Sequence, residues 1–158
     1  MRVNQRGFSF IELVVTVAIM GMLAAAVVPT VELAMRRAKE VELRSALREL
    51  RGALDAYKRA GDEGRIERRV DRSGYPANLD MLVEGLVDIK SPTKTRIYFL
   101  RRVPRDPFNH DEALSAAQTW GKRSYASPAD APREGLDVFD VFSLSSERGL
   151  NGIVYRTW

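Results

Sequence analysis

The chain has 158 residues, of which 45% are apolar and 29% charged, a composition typical of one globular domain at most and not of a long disordered tract. The net charge is +4, and two of the basic residues, Arg2 and Arg6, lie at the extreme N-terminus. The rest of the chain is therefore almost neutral, which argues against a nucleic-acid partner. The sequence contains no cysteine, so no disulfide can brace the fold.

The first feature along the chain is a run from Phe8 to Val31 that is apolar or small except for one carboxylate, Glu12. A helix of this length spans about 36 Å, which exceeds the roughly 30 Å of the hydrocarbon core of a bilayer. The run therefore predicts a transmembrane helix. Basic residues flank it on both sides, so charge alone does not decide the orientation of the helix.

Glu12 is the most informative residue of that run, because an ionised carboxylate in lipid needs a cation or a route to the interface. Cleavage of the peptide bond after Gly7 would create an α-amine on Phe8, which is positively charged below a pKa near 8. In a helix that starts at Phe8, this amine lies four residues before Glu12, on the same helical face. We expect processing of the chain to supply the counter-charge that Glu12 requires.

Residues 7–12, Gly-Phe-Ser-Phe-Ile-Glu, follow a short leader, and together they resemble the prepilin signature of type IV pilins and of the pseudopilins of type II secretion. The resemblance implies that a prepilin peptidase cuts after Gly7 and methylates the new amine of Phe8. It also implies that Glu12 pairs with the terminal amine of a neighbouring subunit during filament assembly. A slip by one subunit would leave two charges unpaired, so Glu12 would set the register of the filament.

Two other interpretations of the apolar run stay open. Residues 24–26 are three alanines that offer a small-x-small signal-peptidase site, although an acidic residue inside the apolar region is unusual for a signal peptide. A plain membrane anchor, with Glu12 extended toward the headgroups, is the other alternative. The first residue of the mature protein separates the three: methylated Phe8 for a pilin, Val27 for a secreted protein and Met1 for an uncut anchor.

Beyond the apolar run, apolar residues recur every three or four positions among charged ones, which predicts an amphipathic helix that continues to Ala60 and ends at Gly61. Acid–base pairs four residues apart, such as Glu40 with Arg44, are typical of a helix surface.

Pro29 cannot donate a hydrogen bond to the carbonyl four residues before it, so a kink or an unwound turn is predicted nearby. Gly21 adds backbone flexibility to the same segment. The corresponding segment of related filaments resembles a partly unwound hinge. We therefore interpret residues 21–29 as an assembly hinge.

The remaining residues predict a small head that starts with a polar loop, residues 61–74. Asn78 is a candidate cap for a short helix that ends between Gly85 and Asp88. Three further runs have the composition of strands, namely residues 96–100, 136–144 and 153–157. We expect them to form one antiparallel sheet that packs on residues 41–57 of the long helix, because the head alone buries too little surface to be stable.

The predicted fold class is therefore α+β, a long N-terminal helix packed on a small antiparallel sheet. The predicted segments are a leader (1–7), a transmembrane half of the helix (8–31), an amphipathic half (32–60) and a globular head (61–158).

Motifs in the head, with the terminal Trp158, resemble in order and spacing those of the major pseudopilin family of type II secretion. They are residues 103–108 (Val-Pro-Arg-Asp-Pro-Phe), 120–125 (Trp-Gly-Lys-Arg-Ser-Tyr) and 138–143 (Val-Phe-Asp-Val-Phe-Ser). With the N-terminal motif, the resemblance covers nearly the whole chain and implies a type IV pilin-like fold. An insertion, residues 109–119, separates the first two head motifs, and its later part predicts one helical turn.

The C-terminal loop departs from the family, in which it resembles a calcium site with several acidic ligands. Residues 145–152 here contain one acid, Glu147, with Arg148 beside it. Calcium takes six to eight oxygen ligands, so we expect no metal and no other cofactor here, and packing and hydrogen bonds must hold the loop. The single histidine, His110, lies in a polar run that we interpret as a solvated loop.

The sequence contains no nucleophile motif, phosphate-binding loop or Cys/His metal spacing, so we expect no catalytic residues and no enzyme. The resemblance implies a structural subunit of the bacterial inner membrane, single-pass with its head in the periplasm, that polymerises into a fibre driving type II secretion. Its expected partners are itself, the prepilin peptidase, the inner-membrane assembly platform, minor pseudopilins and, before assembly, membrane lipid. The alternatives are a pilin of a type IV pilus for adhesion, motility or DNA uptake, and a singly anchored periplasmic binding domain.

Overall fold

A computed structural model of the chain describes residues 7–67 and 73–158, with the backbone alone for residues 26–29. Arg2 and Arg6 lie outside the described residues. In chain order the elements are α1 (Phe10–Asp62), α2 (Met81–Glu84), β1 (Leu86–Val87), β2 (Arg96–Ile97), a 3₁₀ helix (Ala116–Thr119), β3 (Trp120–Arg123), β4 (Asp140–Ser143) and a second 3₁₀ helix (Tyr155–Thr157). The predicted α+β class, one long helix with small antiparallel sheets, is confirmed.

Helix α1 starts at Phe10, two residues later than predicted, because Ser9 caps it. The hydroxyl oxygen of Ser9 accepts the N–H of Glu12 at 3.2 Å, and the Ser9 carbonyl accepts that of Leu13 at 3.2 Å. Phe8 precedes the helix in this structure. The four-residue helical spacing between its amine and Glu12 is predicted for the cleaved chain and stays a prediction.

At its other end, α1 continues through Gly61 to Asp62, so the predicted stop at Gly61 is also wrong. The turn away from the helix comes at Gly64, whose φ of 68° lies in the left-handed region that glycine favours. The backbone stays helical through Gly21 and Pro29. The hinge at residues 21–29 therefore remains a prediction for the assembled filament.

The described residues fall into two compact units, one that ends at Ala38 and one from Lys39 to Trp158. In the second unit, α1 forms one wall of the core, as predicted. Its buried apolar residues are Leu43, Ala46, Leu47, Leu50, Ala53, Leu54, Tyr57 and Ala60. Each fully buried leucine contributes about 1.5–3 kcal/mol of transfer free energy. Val41 was expected on this face but is 61% exposed.

The opposite wall of the core comes from the head. Its buried apolar residues include Leu79, Leu82, Leu100, Trp120, Val138, Val141 and Tyr155. Helix α2 begins at Met81, two residues later than a cap at Asn78 predicts, and Asp80 takes the N-cap position. The side-chain oxygen of Asn78 still accepts the N–H of Met81 at 3.1 Å. It ends before Gly85, whose φ is 75°. The predicted helical turn in the insertion is the 3₁₀ helix Ala116–Thr119, which Ser115 and Gln118 cap reciprocally.

The strands form two separate two-stranded sheets and not the single three-stranded sheet that was predicted. Both pairs are antiparallel. In the first, β1 and β2 place Leu86 opposite Ile97. In the second, β3 and β4 place Trp120 opposite Ser143 at one end and Arg123 opposite Asp140 at the other. Within the runs predicted as strands, only the short stretches β2 and β4 are strand.

The predicted strand at residues 153–157 is wrong, because this segment makes one bridge, Val154 to Arg148, and then turns into a 3₁₀ helix. The rings of Tyr155 and Trp158 lie 4.9 Å apart, edge to face. Residues three apart point to opposite faces of a strand but lie together on a tight helical turn. Contact between these two rings therefore requires the turn.

Candidate assembly site

The peptide bond between Gly7 and Phe8 lies in exposed, non-helical backbone just before α1. Phe8 is 83% exposed, and no heavy atom lies within 4 Å of the position that a Cβ on Gly7 would take. A peptidase can therefore reach the bond predicted to be cleaved without unfolding any described element.

Glu12 is exposed and occupies the third position of α1, inside the first helical turn. The partial positive charge at a helix N-terminus favours a carboxylate there, so the helix itself offsets part of the cost of this charge. Residues 9–12, Ser-Phe-Ile-Glu, also fit the Ser-x-x-Glu sequence of a helix capping box. The Ser-x-x-Glu signal could have identified Ser9 as the cap, and with it the true start of the helix.

The apolar half of α1 has no covering surface within the described chain. The helix is long and apolar enough to cross a membrane by length and composition, and none of its most apolar stretch is buried by the rest of the molecule. Its large exposed apolar side chains up to residue 23 are Phe10, Ile11, Leu13, Val14, Val15, Val17, Ile19, Met20, Met22 and Leu23. Such a surface is suited to lipid or to other apolar helices.

Asp106 connects two of the head motifs. Its carboxylate is 2% exposed and accepts the hydroxyl of Ser143 at 2.5 Å and the backbone N–H of Phe108 at 2.9 Å. Its own backbone N–H donates to the Thr119 hydroxyl at 3.1 Å. The Asp-Pro motif is thereby attached to the end of β4 and to the last residue of the insertion, immediately before β3.

Trp120 and Gly121 begin β3 and pack against the same two motifs. The Trp120 indole is buried and donates its N–H to the carbonyl of Pro104 at 2.8 Å. Gly121 lies opposite Phe142 in the register, and a Cβ on Gly121 would overlap the Phe142 ring. The Trp-Gly pair is thus required by packing, and the insertion leaves this contact intact.

Arg51 of α1 connects the third motif and the last residue to the helix. Its Nε donates to the carboxylate of Asp140 at 2.8 Å, and its Nη2 donates to the main-chain oxygens of Val141 at 3.1 Å and Trp158 at 2.8 Å. The third motif and Trp158 are therefore attached to α1, and β4 in turn links them to the first motif through Asp106 and to the second through its pairing with β3.

The C-terminal loop, residues 145–152, for which we expect no metal, has several of its oxygens engaged in hydrogen bonds. The Arg148 guanidinium donates to the carbonyl of Gly152 at 3.1 Å, and the side-chain oxygen of Asn151 accepts the N–H of Ile153 at 3.0 Å. The Gly149 carbonyl accepts the N–H of Gly152 at 2.9 Å. Within residues 7–67 and 73–158, no group of three or more His, Asp or Glu side chains could hold a metal ion. The carbonyl oxygens of Gly149 and Gly152 and the side-chain oxygen of Asn151 are thus already engaged in hydrogen bonds within the loop.

His110 lies in the insertion with its Nε2 atom 3.2 Å from the ammonium of Lys39 on α1. Both partners are basic groups and neither is buried. The contact places the insertion beside the helix but does not form a metal or catalytic site.

Comparison with known proteins places these features in a family. Residues 2–28 match a family model described as a prokaryotic N-terminal methylation motif. The chain is 32% identical over 140 residues to the type II secretion system core protein G of Klebsiella michiganensis, with 86% of this chain and 91% of that protein covered. The protein of the same name from Pseudomonas aeruginosa is 32% identical, covering 86% and 92%, and that from Vibrio cholerae is 29% identical, covering 92% and 86%.

No solved structure gives a significant match. The sequence relatives align with 86–92% of this chain, and the methylation motif covers residues 2–28, which include Gly7, Phe8 and Glu12. The chain belongs to the family of type II secretion system core protein G, the major pseudopilins.

Proposed function

We propose that the chain is a structural subunit that is stored in the inner membrane by residues 8–31, cut after Gly7 and then polymerised into a periplasmic fibre. Growth of this fibre pushes secreted proteins toward an outer-membrane channel. The head lies in the periplasm and the chain performs no catalysis.

The observation that carries this proposal is the most apolar stretch of α1, none of which the described chain buries, with one carboxylate in the first turn of the helix. In a membrane, lipid covers this surface; in a fibre, the helices of other copies replace the lipid. Because lipid tails are as apolar as leucine, this exchange gains little from hydrophobicity, and close packing with polar pairing must select the arrangement. Glu12 is the polar group available for this pairing.

Processing completes the pair. Removal of residues 1–7 leaves the amine of Phe8 two residues before the first residue of α1, close to the end of the helix that carries Glu12. The methylated amine stays positively charged and attracts the Glu12 carboxylate of a neighbouring copy. Two charges that are each costly in an apolar setting become tolerable as a pair.

The proposed partners are further copies of the chain, a prepilin peptidase that also methylates Phe8, an inner-membrane assembly platform and minor pseudopilins. A pilin of a type IV pilus would use the same helix, and a singly anchored periplasmic binding domain would use it as a tether. The three relatives named above favour secretion over a pilus. The accessible bond after Gly7, followed by a capped helix, favours processing over a simple tether.

The mature N-terminus tests the proposal. In cells that produce the full secretion system, mass spectrometry should find a chain that starts at methylated Phe8, and electron microscopy of sheared material should show fibres of uniform width. Gly7→Leu should retain the leader and form no fibres. Gly52→Ala is the control, because open space surrounds Gly52 on α1. A functional chain that starts at Met1 or Val27 would contradict the proposal.

A further inference from the structure

Glu40 differs from the surface residue that its sequence pattern indicates. Its spacing to Arg44 predicts an exposed ion pair, yet Glu40 is only 4% exposed, and its nearest Arg44 contact, from Oε2 to Nη2, is 3.5 Å long. Burial of a carboxylate costs free energy unless hydrogen-bond donors surround it. The donors that surround Glu40 come from the far end of the chain.

The C-terminal loop supplies one of these donors, and Tyr155 beyond the loop supplies another to the same oxygen. The backbone N–H of Leu150 donates to Glu40 Oε1 at 2.6 Å, and the hydroxyl of Tyr155 donates to the same atom at 3.0 Å. Tyr155 is fully buried and stacks on Phe108 at a ring distance of 4.0 Å. One carboxylate on α1 thus holds both Leu150 in the loop and Tyr155, three residues beyond the end of the loop.

Atoms pack closely around the Glu40 carboxylate and leave little room for an additional group such as a metal ion. A Cβ on Gly149 would lie 2.6 Å from the Trp158 ring and 3.1 Å from Glu40 Oε1. The Arg44 guanidinium stacks over the same Trp158 ring at 4.3 Å and supplies the positive charge beside Glu40. A calcium ion near Glu40 would have to displace the Leu150 N–H and the Tyr155 hydroxyl.

We propose that Glu40 replaces a bound calcium ion as the device that fixes the C-terminal loop, residues 145–152, to α1, so that the fold of this chain is independent of calcium. A metal would organise the loop by collecting oxygen ligands. Glu40 instead organises it as a buried hydrogen-bond acceptor, which binds the N–H of Leu150 in the loop and the O–H of Tyr155 just beyond it. Since residues 40 and 150 are far apart in sequence, this link also closes the head onto the helix.

Thermal unfolding of the full chain in detergent tests the proposal, with the fluorescence of Trp120 and Trp158 as the signal. The wild type should unfold at the same temperature in EDTA and in calcium at about 5 mM, above the roughly 10⁻⁴–10⁻³ M dissociation constants of extracellular calcium modules. Glu40→Ala should lower Tm by about 5–10 °C in both buffers, because it leaves buried donors unsatisfied. Elemental analysis of the purified wild type should find no stoichiometric calcium.

Glu42→Ala is the matched control, because Glu42 is an exposed acid two residues along the same helix, and its Tm should stay near that of the wild type. Tyr155→Phe removes one donor and keeps the ring, so it should lower Tm by less than Glu40→Ala and remain measurable if Glu40→Ala does not fold. A wild-type Tm that falls in EDTA would overturn the proposal. So would a Glu40→Ala Tm equal to that of Glu42→Ala.

Discussion

Asp106 illustrates how one buried side chain can make a short turn motif essential. The Asp-Pro sequence by itself indicates a turn, but in the fold the carboxylate binds a hydroxyl from β4 and a backbone N–H of its own turn. Ser143 is fully buried and Phe108 is partly buried. The motif therefore depends on a contact with Ser143 that no local pattern reveals.

Replacement of this carboxylate should be among the more costly single changes in the head. Asp106→Ala leaves the Ser143 hydroxyl and the Phe108 N–H without an acceptor, and we expect it to lower the free energy of unfolding by about 2–4 kcal/mol. Denaturant unfolding in detergent measures this loss. Asp130→Ala, at an exposed position in the loop between β3 and β4, should change it by less than about 0.5 kcal/mol. Equal effects of the two changes would argue against a special role for Asp106.

At the scale of elements, the β3–β4 pair depends on the close approach of Gly121 to Phe142. A glycine inside a strand is ordinarily unfavourable, so its presence requires a packing reason. Here the phenyl ring lies where a side chain of residue 121 would extend. The pairing register between the two strands sets this contact.

Gly121→Ala should therefore destabilise the head by about 1–3 kcal/mol, the usual cost of overpacking. In a Phe142→Ala background the same change should cost much less stability, because the ring that the new methyl group would meet is gone. Urea unfolding of the wild type, the two single variants and the double variant measures the coupling energy between positions 121 and 142. Gly52→Ala should instead raise the free energy of unfolding by up to about 1 kcal/mol, because alanine has the higher helix propensity and open space surrounds position 52. Additive effects at positions 121 and 142 would refute the packing argument.

A salt bridge joins the end of α1 to β1. Arg65 Nη2 lies 2.7 Å from the Asp88 carboxylate, and the Arg65 carbonyl accepts the N–H of Ile89 at 2.7 Å. The hydrogen bond from Arg65 lowers the pKa of Asp88, against the opposing effect of burial and with help from the N–H of Lys90. The same hydrogen bond raises the pKa of Arg65.

This shift predicts a pH-dependent contribution to stability. Because the pKa of Asp88 is lower in the folded state than its unfolded value near 3.9, its stabilisation is present above about pH 4 and is lost as the pH falls through the folded value. Asp88→Asn should thus have a lower free energy of unfolding than the wild type at pH 7, and this difference should shrink below about pH 4. Unfolding curves from pH 7 to pH 3 measure the difference, with Asp80→Asn as the control because Asp80 is an exposed acid. A difference that is constant with pH would contradict the stabilising role of the Asp88 carboxylate.

The elements also differ in how far the sequence predicts them. The long helix was predictable because its period extends over many turns, and Asn78 marked α2 by local capping chemistry. The strands were not predictable in this way, because a run of two to four residues is too short to show an alternation of apolar and polar residues. Residues 153–157 looked like a strand, but contact between Tyr155 and Trp158 required a helical turn. Glu40 was misinterpreted for a similar reason, since its partners lie in a distant loop.

At the scale of the whole molecule, the apolar half of α1 remains a surface that the described chain does not cover, and Glu12 is the one acid within it. A neighbouring copy that supplies the amine of Phe8 would neutralise this charge. Membrane insertion requires no such partner, because a carboxylate near a helix end can extend to the interface. Assembly and insertion should therefore respond differently to the loss of Glu12.

Glu12→Gln should insert into the membrane as the wild type does and should abolish or strongly slow fibre formation. Membrane fractionation measures the first property, and electron microscopy of sheared fibres measures the second. Glu32→Gln is the matched control, because Glu32 is an exposed acid on the same helix beyond the apolar run, and it should assemble normally. Normal fibres from Glu12→Gln would refute the pairing role.

The sequence by itself determined the long helix, its apolar half, the processing motif at residues 7–12 and the family resemblance, because each of these rests on local composition or on order along the chain. The tertiary structure alone decided that Asp106 binds Ser143, that β3 pairs with β4 and that Glu40 holds the C-terminal loop. These contacts join residues far apart in sequence, and their energies come from burial and from donors and acceptors that meet only when the head closes on α1.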